Sequence, residues 1–200
     1  MNDPIIVGIT GRAHTGKDTA ADYMAREYGF VRAAFADPIR SMLEQMLTEA
    51  GIDYAWLYEP HLKNAPIAEL GGVSARQMMQ TLGTEWGRVC MGDDWWIRLL
   101  ERHLGLQPGS APVHDRIVIC DVRFPNEAAW IGRFGGKVVR LRRRQAQDVR
   151  AHESEAHING LHAHAEIDND GPSLYSLHHS LDDVLAGWDI DRRDGLEVDA

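Results

Sequence analysis

The chain has 200 residues, 44% hydrophobic and 26% charged, with a formal net charge of −9 at pH 7. That is enough chain for one α/β domain with a sizeable core, and the acidic balance argues against a surface made for nucleic acid polymers or anionic membranes. No apolar run approaches the roughly 18 residues of a spanning helix and the N-terminus lacks a signal peptide's basic start and apolar stretch, so the default compartment is the cytoplasm.

Ile5 to Thr10 reads as a first strand, mostly buried on both faces. Lys17 to Tyr28 reads as the first helix, with Ala21, Met24, Ala25 and Tyr28 on one side. Phe30 to Phe35 is a second strand. Asp37-Pro38 reads as a helix start, an N-cap acid with proline at the first helical position. That helix runs to about Ala50, with Ile39, Met42, Leu43 and Met46 inward. Residues 51–73 are irregular, broken by Pro60, Pro66 and Gly71-Gly72. Ser74 caps a helix through Trp86, and Asp93 or Asp94 caps another through Leu104.

Residues 105–112 form a surface loop. Arg116 to Asp121 is the clearest internal strand. A short helix from Asn126 to Phe134 ends at Gly135-Gly136, and Lys137 to Leu141 is a further strand. Residues 142–163, polar and rich in Arg and His, suit a mobile excursion. Ala165 to Asp168 is a last strand, Pro172 to Trp188 a final helix, and the acidic tail is expected to fray. Strands alternating with helices argue for a parallel sheet covered on both faces. Cys90 and Cys120 lack metal-type spacing and are expected to be reduced and buried.

The chemistry begins at Gly11-Arg12-Ala13-His14-Thr15-Gly16-Lys17-Asp18-Thr19. This has the G-x-x-x-x-G-K spacing of a phosphate-binding loop, set between a strand and a helix as that motif requires. Glycines let the backbone turn tightly and aim its N–H groups at phosphate oxygens, and the helix adds its positive end. Lys17 then reaches the terminal phosphates. Asp18 stands where serine or threonine normally follows the lysine. Its carboxylate either holds Mg²⁺, directly or through water, or simply lies in the first turn near the positive helix end. Thr19, one position on, offers the missing hydroxyl.

Ile117 to Asp121 has the form of the acid-ended strand that accompanies such a loop, with Asp121 placed to hold the water shell of Mg²⁺. Arginines gather around it: Arg76 and Arg88 flank residues 80–86, Arg123 follows the acid strand, and Arg140, Arg142, Arg143 and Arg144 lead into the excursion. Arginine forks suit phosphate oxygens. Asp37 is either an acid that orients an attacking group or a plain helix cap. Trp86, Trp95, Trp96 and Tyr54 are candidates to stack on a base, although aromatics at helical spacing are more often core. His152-Glu153-Ser154-Glu155-Ala156-His157 only superficially resembles a zinc motif, since its second histidine comes one residue late.

Taken together, these segments resemble the phage-type deoxynucleoside monophosphate kinases of the P-loop NTPase superfamily. The resemblance runs nearly end to end. It rests on the G-K-D-T loop, Phe35-Ala36-Asp37-Pro38, Gln80-Thr81-Leu82-Gly83-Thr84-Glu85-Trp86-Gly87-Arg88, Asp121-Val122-Arg123-Phe124-Pro125-Asn126-Glu127, His152-Glu153-Ser154-Glu155 and Asn169-Asp170-Gly171. It implies a three-layer α/β kinase fold in one domain: a five-stranded parallel sheet, an acceptor-binding helical region over about 37–96 and a mobile lid over about 142–163. It implies ATP as donor, gripped by Gly11, Arg12, Thr15, Gly16, Lys17, Asp18 and Thr19, with Asn169 near the adenine. Mg²⁺ falls to Asp18, Thr19 and Asp121.

The acceptor would be a deoxynucleoside monophosphate bound by Asp37, Arg40, Arg76, Gln80, Arg88, Trp95 and Arg123. Lys17, Asp37, Arg123, Arg142, Arg143 and Arg144 would act in catalysis. Two rivals stay open, a dephospho-coenzyme A kinase with a hydroxyl acceptor and a nucleotide-binding module without catalysis. A homodimer is also open.

Overall fold

The computed structural model describes residues 3–144, 158–171 and 173–193. The chain divides into two compact units, Met1–Ala34 with Leu104–Ala200, and Phe35–His103.

The first unit is built on a five-stranded sheet of β1 (Ile5–Thr10), β2 (Val31–Ala33), β5 (Arg116–Val122), β6 (Lys137–Arg142) and β7 (Ala165–Asp168). Their order across the sheet is β2-β5-β1-β6-β7 and every pairing is parallel. A parallel sheet needs helices on both faces, and its central strands are accordingly apolar throughout. Val7, Ile9, Val118, Val139, Leu141 and Ile167 face one way, into a core with α1 (Lys17–Tyr28) and the last helix, α6 (Leu174–Ala186). On the other face lies α5 (Pro125–Arg133). A Cβ on Gly8 would meet Ile131 of that helix at 2.6 Å, so glycine lets α5 seat against β1. The result is a helix–sheet–helix sandwich with β1 at its centre. Helix α1 ends at Gly29, whose φ of +71° and N–H bonds to Ala25 and Met24 close the last turn.

The second unit has its own core of Ile39, Leu43, Leu47, Leu57, Ile67, Ala75 and Trp96. Its helices are α2 (Asp37–Glu49), α3 (Ala75–Gln80) and α4 (Trp95–His103), with a π-helix over Thr81–Cys90 continuing α3. Strands β3 (Pro66–Ile67) and β4 (Val73–Ser74) form a small antiparallel pair. The inward stripe of α2 is Ile39, Leu43 and Leu47, at i, i+4 and i+8. Met42 and Met46, expected inward, are 42% and 47% exposed. Cys120 is buried as expected, whereas Cys90 is exposed; both are free thiols.

Residues 145–157 lie outside the described residues. They carry most of the segment read as a lid, including the His152-Glu153-Ser154-Glu155 stretch and His157. Pro172 and the acidic tail after Arg193 also lie outside them. Among the described residues no helix is long and apolar enough to cross a membrane.

Candidate active site

At the carboxyl end of β1 the chain turns through the glycine-rich loop and enters α1 at Lys17. Gly11 has φ +151°, and a Cβ there would lie 2.5 Å from the Leu141 carbonyl oxygen of neighbouring β6. Gly16, at the N-cap of α1, has φ +96°, a left-handed conformation that glycine adopts without a Cβ penalty. Thr15 is buried, and its hydroxyl donates to the Arg12 carbonyl at 2.9 Å. Lys17 reaches back across the loop, its ammonium donating to the carbonyls of Gly11 at 2.8 Å and Arg12 at 2.7 Å. The loop thus presents a cation, a helix N-terminus and a tight backbone curve in one place, a set of features suited to anionic oxygens.

Asp18 stands in the first turn of α1 and Asp121 next to the end of β5, the strand paired with β1. The pairing of β1 with β5 slips between Gly8 and Thr10: Gly8 sits opposite Ile119 and Thr10 opposite Val122. Cys120 and Asp121 therefore share the space facing Ile9 alone, which sets this part of β5 out of regular register next to the loop. Burial pushes the Cys120 thiol up to about 11, with the Asp121 and Asp18 charges adding to the rise. Arg32, from β2, pairs with Asp18 at 3.0 Å and also with Asp22 one turn along α1. Partial burial opposes the Arg32 charge, but Asp22, Cys120 and Asp18 outweigh it and raise its pKa. Thr19 lies in the same first turn as Asp18, so the oxygen-bearing side chains that could hold a small hard cation retaining several waters are Asp18, Thr19 and Asp121.

The segment after β5 is held by Glu127. This carboxylate is buried and accepts the backbone N–H of Arg123 at 2.7 Å and of Phe124 at 3.0 Å. A buried carboxylate bound to two amides fixes the turn from which Arg123 projects. At the end of β6, Arg142 pairs with Glu166 at 2.8 Å and Arg144 with Asp170 at 3.1 Å, while Arg143 is exposed. Arg140 differs from its neighbours. It is buried, and it joins Glu166 at 2.6 Å and the carbonyls of Ile158 and Leu161, which gives it a structural place inside the sheet.

In the second unit, α2 starts at Asp37 with Ala36 in the N-cap position, so Asp37 is the first helical residue and not the cap. Its carboxylate accepts from Arg40 at 2.6 Å, one turn on. Arg76 donates its Nε to Asn64 at 2.6 Å, and Arg88 lies 3.3 Å from Asp93 with its side chain 13% exposed. Gln80 ends α3, and residues 81–90 follow with π winding, a geometry often found at functional positions. Gly83 and Gly87 are buried there: a Cβ on Gly87 would overlap the indole of Trp96, whose Nε1 donates to the Gly83 carbonyl at 2.7 Å. Trp86 packs edge-on to Trp95, with centroids 6.1 Å apart. The Trp95 indole N–H is buried with no acceptor among the described residues.

The chain matches the deoxynucleotide monophosphate kinase family over residues 63–181, more than half its length. It belongs to that family. A protein of Acanthamoeba polyphaga mimivirus, provisionally named a deoxynucleotide monophosphate kinase, is 27% identical over 167 residues, covering 78% of this chain and 83% of its own. Among solved structures, a sugar kinase from Janibacter sp. HTCC2649 superposes with a TM-score of 0.48 at 16% identity, covering 94% of this chain and 95% of its own. Shikimate kinase from Aquifex aeolicus superposes at 0.45 with 10% identity, covering 92% and 96%.

Three contributors to the kinase's candidate site had no role assigned from sequence: Arg32 and Glu166, and Glu127, which stood only as the end of the 121–127 motif. Glu127 carried a signal, since an acid three residues after the N-cap position Phe124, with Pro125 opening the helix, has the spacing of a capping box. Arg32 and Glu166 carried none, because only the folded chain brings Arg32 of β2 to Asp18 and Asp22 of α1 and Glu166 of β7 to Arg140 and Arg142 of β6.

Proposed function

We propose that this kinase moves the γ-phosphoryl group of ATP to the 5′-phosphate of a deoxynucleoside monophosphate, giving the diphosphate. The observation that carries the reading is the loop from Gly11 to Lys17 at the end of the central strand, with the Lys17 ammonium lying across it. Phosphoryl transfer asks mainly for positioning and charge neutralisation, which this arrangement supplies. Gly11, Arg12, Thr15, Gly16 and Lys17 take the donor phosphates. Asp18, Thr19 and Asp121 take Mg²⁺, which when bound offsets charge on the phosphate oxygens. Arg142, Arg143 and Arg144 neutralise the transferring group, Arg142 and Arg144 by leaving their present carboxylate partners.

Residues 37–96 serve as the acceptor-binding region of a single kinase domain. Arg76, Arg88 and Arg123 hold the acceptor phosphate, while Asp37, Arg40, Gln80 and Trp95 face the nucleoside. The unpartnered Trp95 N–H supports that role, because a buried donor without an acceptor costs roughly 1–3 kcal/mol and a substrate oxygen would relieve it. Asp37 orients the acceptor rather than serving as an essential base, since a monophosphate oxygen is already ionised at neutral pH. The protein works in the cytoplasm.

The test is ADP release by the full chain against a panel of deoxynucleoside monophosphates, ribonucleoside monophosphates and dephospho-coenzyme A. Stimulation by one or more deoxynucleoside monophosphates is the expected result. Stimulation by dephospho-coenzyme A alone, or by no acceptor, would overturn the proposal.

A further inference from the structure

We infer that Asn169 is a positioning residue that splints the phosphate loop, and so acts on every polyphosphate donor whatever its base. This rests on the proposed function of the loop but goes beyond it, since the family resemblance places Asn169 beside the adenine.

Three bonds inside the loop join its own atoms: the Thr15 hydroxyl to Arg12 and the Lys17 ammonium to Gly11 and Arg12. The Asn169 side chain adds a brace from 154 positions away in sequence, its Nδ2 donating to the Thr15 carbonyl at 3.0 Å. The amide orientation follows from the partner, because the reverse orientation would set two carbonyl oxygens against each other. A trans peptide is planar with C=O and N–H on opposite sides. Holding the Thr15 oxygen toward Asn169 therefore turns the Gly16 N–H away from it. That N–H is a loop amide of the kind that meets phosphate.

The brace also explains Gly16 a second time. Besides its φ of +96°, a Cβ there would lie 2.6 Å from Asn169 Nδ2. Glycine leaves the room that the asparagine amide occupies. Asn169 is itself held. Its backbone N–H donates to the Arg142 carbonyl at 2.7 Å, and the next residue, Asp170, accepts from the Arg144 N–H at 2.7 Å. The end of β6 thus positions the end of β7, which positions the loop after β1.

The experiment measures binding of ATP, GTP and inorganic tripolyphosphate to the full chain and to Asn169→Ala, in one magnesium buffer, with thermal unfolding to check the fold. Tripolyphosphate has no base, so it separates a splint from an adenine contact. The expected result is an equal loss for all three ligands, on the order of tenfold, with affinity for the monophosphate acceptor unchanged. If Asn169→Ala does not fold, Asn169→Ser is read in the same way. Loss of ATP binding alone, or no loss for tripolyphosphate, overturns the splint while leaving the kinase reading intact. A wild-type chain that binds none of the three overturns both.

Discussion

Around the phosphate loop the backbone does most of the positioning. Parallel register, two glycines at positive φ and a helix N-terminus place Lys17, Asp18 and Asp121. In residues 35–103 the helices α2, α3 and α4 are joined by two-residue strands, short 3₁₀ turns and a ten-residue π-helix. There, side chains carry the order: Trp96 fits over Gly87, Arg76 clamps Asn64, and Arg40 holds Asp37. A site of backbone amides suits a group common to all donors. A site of side chains can be altered one residue at a time, as selection among acceptors requires.

The hardest test of this contrast is Lys17→Met. Removing the cation while keeping the stem should cut ADP release by at least about a thousandfold, the scale of a lost charge in a phosphoryl-transfer site, with the melting temperature little changed. Turnover near wild type would break the donor half of the comparison.

Next in size is Gly87→Ala. The added methyl overlaps a buried indole ring that is itself hydrogen-bonded, so the ring must move. Destabilisation of about 1–3 kcal/mol is expected in denaturant titrations, with the acceptor KM rising more than the ATP KM. Unchanged stability would mean that the second unit is not ordered by this fit.

Glu127→Ala should cost about 1–3 kcal/mol as well, at the lower end, because two amides lose a carboxylate at the exit of β5. Its signature is a rise in acceptor KM through the displaced Arg123, with little change for ATP. Equal effects on both substrates would show a general loss of fold instead.

The smallest effect concerns pH and lies far from the loop. Asp182 accepts from Tyr23 at 2.7 Å and Tyr28 at 2.6 Å and pairs with Arg192 at 2.7 Å. Desolvation pushes its pKa upward, but these bonds outweigh it and hold the pKa below the ordinary aspartate value of 3.8. The stabilisation is then present above pH 3.8 and is lost as the pH falls through the lowered folded value. Asp182→Asn should melt lower than wild type at neutral pH, and the gap should close on acidification. A gap that widens in acid would reverse the sign argument.

Much of the donor side was legible from residue order. Local motifs carry their own geometry: G-x-x-x-x-G-K between an apolar run and a helical pattern is one, and a buried run ending in Asp121 is another. The bounds of β1, α1 and β7 follow for the same reason, since periodicity and breakers act over short range. The reading of α2 erred where the same pattern admits two inward stripes. Leu47 rather than Met46 faces the core, and Asp37 entered the helix that it was expected to cap. The π winding after Gln80 was not legible, and the fit of Trp96 across Gly83 and Gly87 that accompanies it joins residues about ten apart in the chain.

The sequence by itself determined a glycine-and-lysine loop over residues 11–17 with the spacing of a phosphate-binding motif, and, through residues 80–88 and 121–127, which kind of kinase it resembles. Only the tertiary structure decided the partners of the charged groups. It gave Asp18 to Arg32, Arg140 to Glu166 inside the sheet, and the Thr15 carbonyl to Asn169. Ion pairs and amide braces depend on separations of a few ångströms between side chains on different strands, helices and loops, and only the packing of those elements around the ordered sheet brings them together.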